Sequence, residues 1–179
     1  MKIFIIGGKA RQGKDTFCSM IRSYYKSKNI KTINLQFSSY IKEYAKRIAK
    51  WDGDETDKPR ELLQEIGVKI LREKIDPLFL VKRMINDIKV YSNYFDVITI
   101  SDARAIDELE MIKKEFENVT TIRLTRPNFD NGLTEKEKND FTETNLDNYH
   151  NFDYEIVNDG TIEDLKEKFN ELMKVIKWI

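Results

Sequence analysis

Apolar and polar positions along the chain follow two rhythms. Ile3, Phe4, Ile5 and Ile6 form an unbroken β-branched and aromatic run, long enough for a buried strand. After a glycine-containing stretch, Phe17, Met20, Ile21 and Tyr24 recur at helical spacing. Residues 31–37 (KTINLQF) predict a second strand, and residues 40–51 a helix with Tyr44, Ile48 and Trp51 along one face. An acidic turn spans 52–57. Pro59 then opens a helix at the first-turn position where proline is tolerated, and Leu62, Leu63, Ile66 and Ile70 give it an apolar stripe. Ile75-Asp76-Pro77 breaks that helix. Asp76 is a cap for the next one, from which Val81, Met84, Ile85 and Ile88 face inward. Residues 97–101 (VITIS) lack polar alternation, which suits the middle of a parallel sheet. A helix over 106–116 and a fourth strand over 119–124 follow. A polar stretch runs from Thr125 to about Asp147, and Tyr154–Val157 reads as a short fifth strand. Thr161 and Asp164 cap a last helix carrying Leu165, Phe169, Leu172, Met173 and Ile176.

Strands alternating with helices call for an α/β, three-layer fold: a five-stranded parallel sheet, helices on both faces, right-handed crossovers. Ligands of such sheets sit beyond the carboxyl ends of the strands. No linker interrupts the pattern, so residues 1–179 read as one domain. The helical excursion over about 38–92 is expected to stand over the site as a substrate-binding insertion.

Composition narrows the partners. Lys plus Arg equals Asp plus Glu at 31 each, so net charge gives no support for general nucleic-acid or membrane binding. The single Cys18 cannot form an internal disulfide, which fits a reducing cytoplasm, and a packed thiol is the expected role. No apolar run has the length of a membrane span. His150 sits in an Asn-rich aromatic turn without neighbouring ligands, so a partly packed, non-catalytic histidine is expected there in preference to zinc.

The first strand, the following loop and the first helix set the context for Gly8-x4-Gly13-Lys14, a phosphate-binding loop. Gly8 and Gly13 permit backbone conformations closed to residues with a Cβ, so successive N–H groups can point at one anion. The helix start adds its dipole and unpaired donors. Lys14 supplies a mobile charge that follows a transferring phosphoryl group. Lysine at a helix start opposes the dipole unless an anion lies beside it. Lys9, Ala10, Arg11 and Gln12 complete the loop, and Lys9 and Arg11 add charge for a second phosphate. The residue after Lys14 departs from the usual Ser or Thr: it is Asp15, with Thr16 one place later. Asp15 either holds Mg²⁺, directly or through water, or caps the helix or restrains Lys9 or Arg11.

Asp102 and Arg104 leave the end of the third strand. There an acid can bind Mg²⁺ or its waters, and the arginine can reach phosphate oxygens bidentately. The plain alternative is Asp102 capping the next helix and Arg104 pairing with Glu108.

These residues resemble a known family. The loop ending Gly-Lys-Asp-Thr, Asp102-x-Arg104-x-x-Asp107-Glu108 and Thr142-Glu143-x-x-Leu146-Asp147 look like the deoxynucleoside monophosphate kinases of phages and bacteria. Lys58-x-Arg60-x-Leu62-Leu63-Gln64-x-x-Gly67 and Asp76-Pro77-x-Phe79-x-x-Arg83 add to the likeness. Animal-type phosphomevalonate kinases are similar in the same frame, through Lys42-Glu43, Leu146-Asp147-Asn148 and Phe152-Asp153-Tyr154. Those enzymes carry paired arginines where this chain has Arg104-Ala105. The nucleotide kinases carry a histidine where it has Asp140 and Phe141.

The resemblance implies a P-loop NTPase fold with a lid over about 126–147. It implies a kinase that moves the γ-phosphoryl group of ATP·Mg²⁺ to a nucleoside or deoxynucleoside monophosphate, as a monomer or homodimer. Lys14, Arg104 and Asp102 would be catalytic, and Asp15 and Asp102 would serve the metal. Residues 8–16 and Arg126 would hold ATP. Lys42, Arg60, Arg72, Arg83, Thr142 and Glu143 would hold the acceptor, although each arginine or lysine could equally be a solvated helix charge, for instance Arg72 paired with Asp76. A phosphomevalonate-type kinase and a non-catalytic nucleotide-binding module are the alternatives.

Overall fold

The computed structural model describes residues 1–51 and 57–176, and only the backbone at 57–60. Five strands run parallel in the order β2-β3-β1-β4-β5: β1 (Lys2–Gly7), β2 (Thr32–Leu35), β3 (Val97–Ala103), β4 (Val119–Thr125) and β5 (Tyr154–Val157). β1 is central. Its four apolar residues are fully buried and alternate between two cores, each burial worth about 2 kcal/mol. Ile3 and Ile5 join Ile98 and Ile100 against α2 (Phe37–Ala49), α4 (Phe79–Tyr91) and α5 (Ile106–Glu115). Phe4 and Ile6 face α1 (Lys14–Lys26) and α8 (Ile162–Val175), where Phe17, Ile21, Phe169 and Leu172 are buried. Cys18 lies fully buried in this second core.

The second strand is shorter than the sequence predicts, and α2 begins at Phe37, ahead of the expected residue 40. The reason is tertiary. Asp102, at the end of β3, accepts the backbone N–H groups of Phe37 and Ser38 at 2.9 Å each, which turns the chain from strand into helix and buries Phe37. A carboxylate distant in sequence thus does the work of an N-cap side chain.

α3 (Asp57–Gln64) begins two residues ahead of Pro59 and runs without a break into a π-helical stretch, Glu65–Ile75. A Cβ on Gly67 would lie 2.6 Å from Ile41 Cδ1, so glycine allows this helix to lie close on α2. Asp76 Oδ1 accepts the Leu78 N–H at 2.9 Å, just ahead of α4. Two short helices, α6 (Glu135–Lys138) and α7 (Phe141–Thr144), occupy the polar stretch after β4. The capping box expected for α8 is formed: Thr161 accepts from the Asp164 N–H, and Asp164 accepts from the Thr161 N–H.

From β1 the chain moves to β2 and back to β3 on one side, then crosses β1 to reach β4 on the other. The order therefore reverses beside the carboxyl end of β1, where a ligand crevice opens in sheets of this kind. Among the described residues, no helix is long and apolar enough to cross a membrane.

Candidate active site

The loop between β1 and α1 takes the backbone that its glycines were expected to allow. Gly8, Arg11 and Gly13 have φ of 142°, 59° and 97°. A Cβ on Gly8 would lie 2.3 Å from the Leu124 carbonyl oxygen, and one on Gly13 would lie 2.9 Å from Asn158 Nδ2. Gln12 braces the turn: its Oε1 accepts the Lys9 N–H at 2.8 Å, and its carbonyl accepts from Asn158 Nδ2 at 3.0 Å. α1 starts with no side-chain cap at Gly13, so its first-turn amides have no partner of that kind.

Lys14 turns into the loop. It is buried at 6% exposure and donates to the Lys9 carbonyl at 2.5 Å. Burial, helped by the charge of Arg104, lowers its pKa from 10.5 to about 8, while Glu143, Asp102 and Asp15 oppose the shift.

Glu143 lies against the loop at Ala10. Only 3% exposed, it accepts the Ala10 N–H through Oε2 at 2.9 Å and the Arg104 guanidinium through Oε1. Arg104 also reaches the Thr142 carbonyl at 3.3 Å. A carboxylate supplied by the chain itself therefore bridges a loop amide and Arg104. Nearby, Lys9 pairs with Asp147 at 2.9 Å, and Arg11 donates to the Asn131 carbonyl at 2.8 Å.

Glu108 forms a second buried centre. Its carboxylate accepts from the Arg104 N–H at 2.7 Å, the Ala105 N–H at 3.1 Å and Arg72 Nη2 at 2.5 Å. Burial raises its pKa to about 7, against the opposing pull of Arg72 and the Arg104 amide. Arg72 also pairs with Asp107 at 3.1 Å. The expected alternative for Arg72, a pair with Asp76, is not what forms: Asp76 takes Lys82 at 2.7 Å. Arg104 does meet Glu108, but through its amide, and Asp102 caps α2 instead of α5.

A cavity of about 210 Å³ opens between these groups, with Phe37, Ile41, Leu63, Val68, Leu80 and Phe141 as apolar walls. Arg72, Arg104, Asp102, Glu108, Gln64 and Thr142 supply its polar groups. Arg72 lies 5.1 Å from the Phe141 ring centroid. A smaller cavity of about 40 Å³ lies between the loop and α7, lined by Gly8, Lys9, Gln12, Arg123, Thr142, Glu143 and others.

The structure thus brings together Lys14, Asp102, Arg104, Arg72, Thr142 and Glu143. It does not bring Lys42 or Arg83 to the described lining of the larger cavity; Arg83 lies 3.5 Å from Glu43 and over the Tyr40 ring. Arg126 stacks on Phe129 at 4.0 Å. The Arg60 side chain lies outside the described residues. Asp15 and Thr16 are exposed at the start of α1, and Asp15 accepts from Gln36 Nε2 at 3.2 Å, not from Lys9 or Arg11.

Sequence reading missed Glu108 as a site residue, although it is part of the Asp102 to Glu108 segment. It also missed Gln36, which donates to Ser101 Oγ at 3.0 Å and to Asp15. No spacing signals the Gln36–Ser101 contact, because it joins separate strand ends, whereas Glu108 stands at the capping position three residues after Ala105.

The residues present fit Mg²⁺ carried on nucleotide phosphates. Such an ion needs only one or two protein carboxylates and keeps its waters. Asp15, which accepts from Gln36, and Asp102, at the end of β3, would supply the hard oxygen donors for the ion. Asp102 already gives one contact per oxygen to backbone amides, which leaves lone pairs on both.

No protein-family profile matches the chain, and no curated protein matches it. Solved structures do. The APS kinase CysC of Mycobacterium tuberculosis in complex with AMPPNP and APS is similar over 97% of both chains, at 10% identity and a TM-score of 0.53. A sugar kinase from Janibacter sp. HTCC2649 is similar over 97% of this chain and 95% of its own, at 11% identity and a TM-score of 0.53. The chain shares the three-layer α/β fold of these two kinases.

Proposed function

We propose that the chain is an ATP- and Mg²⁺-dependent kinase that phosphorylates a nucleoside or deoxynucleoside monophosphate. The observation that carries this reading is the buried Lys14, set in a glycine loop at the carboxyl end of the central strand, with Arg104 joined to that loop through Glu143. Phosphoryl transfer requires positioning and charge neutralisation more than covalent chemistry. Lys14 and Arg104 would spread charge on the transferring group, and Asp102 would orient the shell of the metal. The 126–147 stretch would act as a lid and the helices after β2 as the acceptor insertion.

The adjoining cavity supports a nucleotide acceptor. Its apolar walls, including Phe37 and Phe141, suit a flat base, and its arginines suit a phosphate. Ala105 is fully enclosed at the start of α5, so a second arginine like that of the phosphomevalonate kinases has no room there.

The test is incubation with ATP, Mg²⁺ and a panel of nucleoside and deoxynucleoside monophosphates, with APS and phosphomevalonate alongside, followed by separation of the products. ADP and a nucleoside diphosphate are expected. Turnover of phosphomevalonate or APS alone would replace the acceptor assignment. Nucleotide binding with no transfer to any acceptor would leave a non-catalytic binding module.

A further inference from the structure

In the resting structure the cations of the site are neutralised from within. Lys9 is held by Asp147, Arg72 by Asp107 and Glu108, and Arg104 by Glu143. A phosphate-bearing ligand can bind these groups only if an internal carboxylate gives way. Two candidates differ in anchorage. Glu108 rides on the ten-residue α5, whose Leu109 and Ile112 are fully buried in the main core. Glu143 rides on the four-residue α7, within the connection between β4 and β5. That helix starts on an Asp140 cap, which accepts the Thr142 N–H at 2.9 Å.

Glu143 also has the contacts a bound phosphate would want. One oxygen takes a loop amide and the other a guanidinium, so a single carboxylate spans the donor loop and the acceptor arginine. We propose that Glu143 is an internal stand-in for phosphate: polyphosphate entering the loop displaces it, and the displacement frees Arg104 for the acceptor anion. This inference rests on the loop being a phosphate site, as in the proposed function, and adds how its two halves are coupled. Binding at the loop raises affinity at the acceptor cavity, and the reverse holds by the same factor.

The expected effect follows from competition. A ligand that must first open a closed contact binds more weakly by the fraction of molecules that are open. Two charge-assisted hydrogen bonds keep that fraction at roughly a tenth or less. Titration calorimetry with inorganic pyrophosphate measures it directly. Glu143→Gln keeps an acceptor for Ala10 but loses the charge that holds Arg104, so pyrophosphate should bind roughly tenfold or more tightly than to the wild type. Asp140→Ala, which loosens α7 without touching the loop, should shift affinity the same way by less. In the wild type, saturating pyrophosphate should also speed amide exchange across residues 135–147.

Equal or weaker pyrophosphate binding in Glu143→Gln, with wild-type affinity measurable, overturns the proposal and leaves the kinase reading standing. Unchanged exchange over 135–147 in saturated wild type overturns it as well. Failure of every form to bind pyrophosphate, ADP or AMPPNP removes the loop reading and this inference together. A nucleoside monophosphate that never binds removes only the acceptor assignment, since the pyrophosphate comparison does not involve it.

Discussion

Replacing Lys14 by methionine should make the protein more stable while abolishing its chemistry. The ammonium is buried, and its pKa falls from 10.5 to about 8 on folding. At neutral pH both folded and unfolded states keep the proton, so the folded state bears the whole net cost of the buried charge, about 3 kcal/mol at about 1.36 kcal/mol per tenfold. Methionine fills similar space without charge but loses the bond to the Lys9 carbonyl, which offsets about 2 kcal/mol. The net gain is on the order of 1 kcal/mol, or about 2–4 °C in melting temperature for a chain of this size. The pH dependence is sharper. Between about pH 8 and 10.5 the folded wild type releases the proton while the unfolded chain retains it, so wild-type stability rises relative to Lys14→Met through that window. Urea titrations of both proteins at pH 7, 8, 9 and 10 measure the difference, and phosphoryl transfer should fall by roughly 10²–10⁴. A stability difference that stays flat from pH 7 to 10 would refute the claim that Lys14 is desolvated within the glycine loop.

Other substitutions probe the surroundings. Gly8→Ala should destabilise by about 3 kcal/mol in urea titrations, because its Cβ meets a backbone carbonyl at 2.3 Å and its φ is 142°. Burial raises the Glu108 pKa and the Arg72 guanidinium holds that rise to about 7, so in Arg72→Met the buried carboxyl takes up a proton near neutral pH and the variant should lose about 1–3 kcal/mol. Both proteins hold Glu108 protonated at pH 4.5, while above pH 7 only the wild type stabilises its ionised form, so the deficit should widen from pH 4.5 to pH 8.5; equal deficits at the two would contradict this. Asp102→Asn should weaken the start of α2 by about 1 kcal/mol and raise the Mg²⁺ concentration needed for half-maximal transfer, measured by calorimetry-free coupled assay across a magnesium series.

Much of the fold was legible because it rests on local signals. Ile3 to Ile6 could only be a buried strand, the alternation of strands with amphipathic segments implied a parallel sheet, and Thr161 with Asp164 marked a helix start that formed as expected. Gly8, Gly13 and Lys14 likewise announced the loop, since backbone freedom and a helix-start lysine are properties of a short segment. The sequence by itself therefore determined the fold class and the place of the glycine loop between β1 and α1. Only tertiary structure decided what each charge does. Asp102 caps α2, Arg72 joins Glu108, and Glu143 lies across the loop from a helix 133 residues further on. Charged side chains are long and find partners by proximity, and proximity between separate strand ends is set by the order of the sheet, which no spacing along the chain encodes.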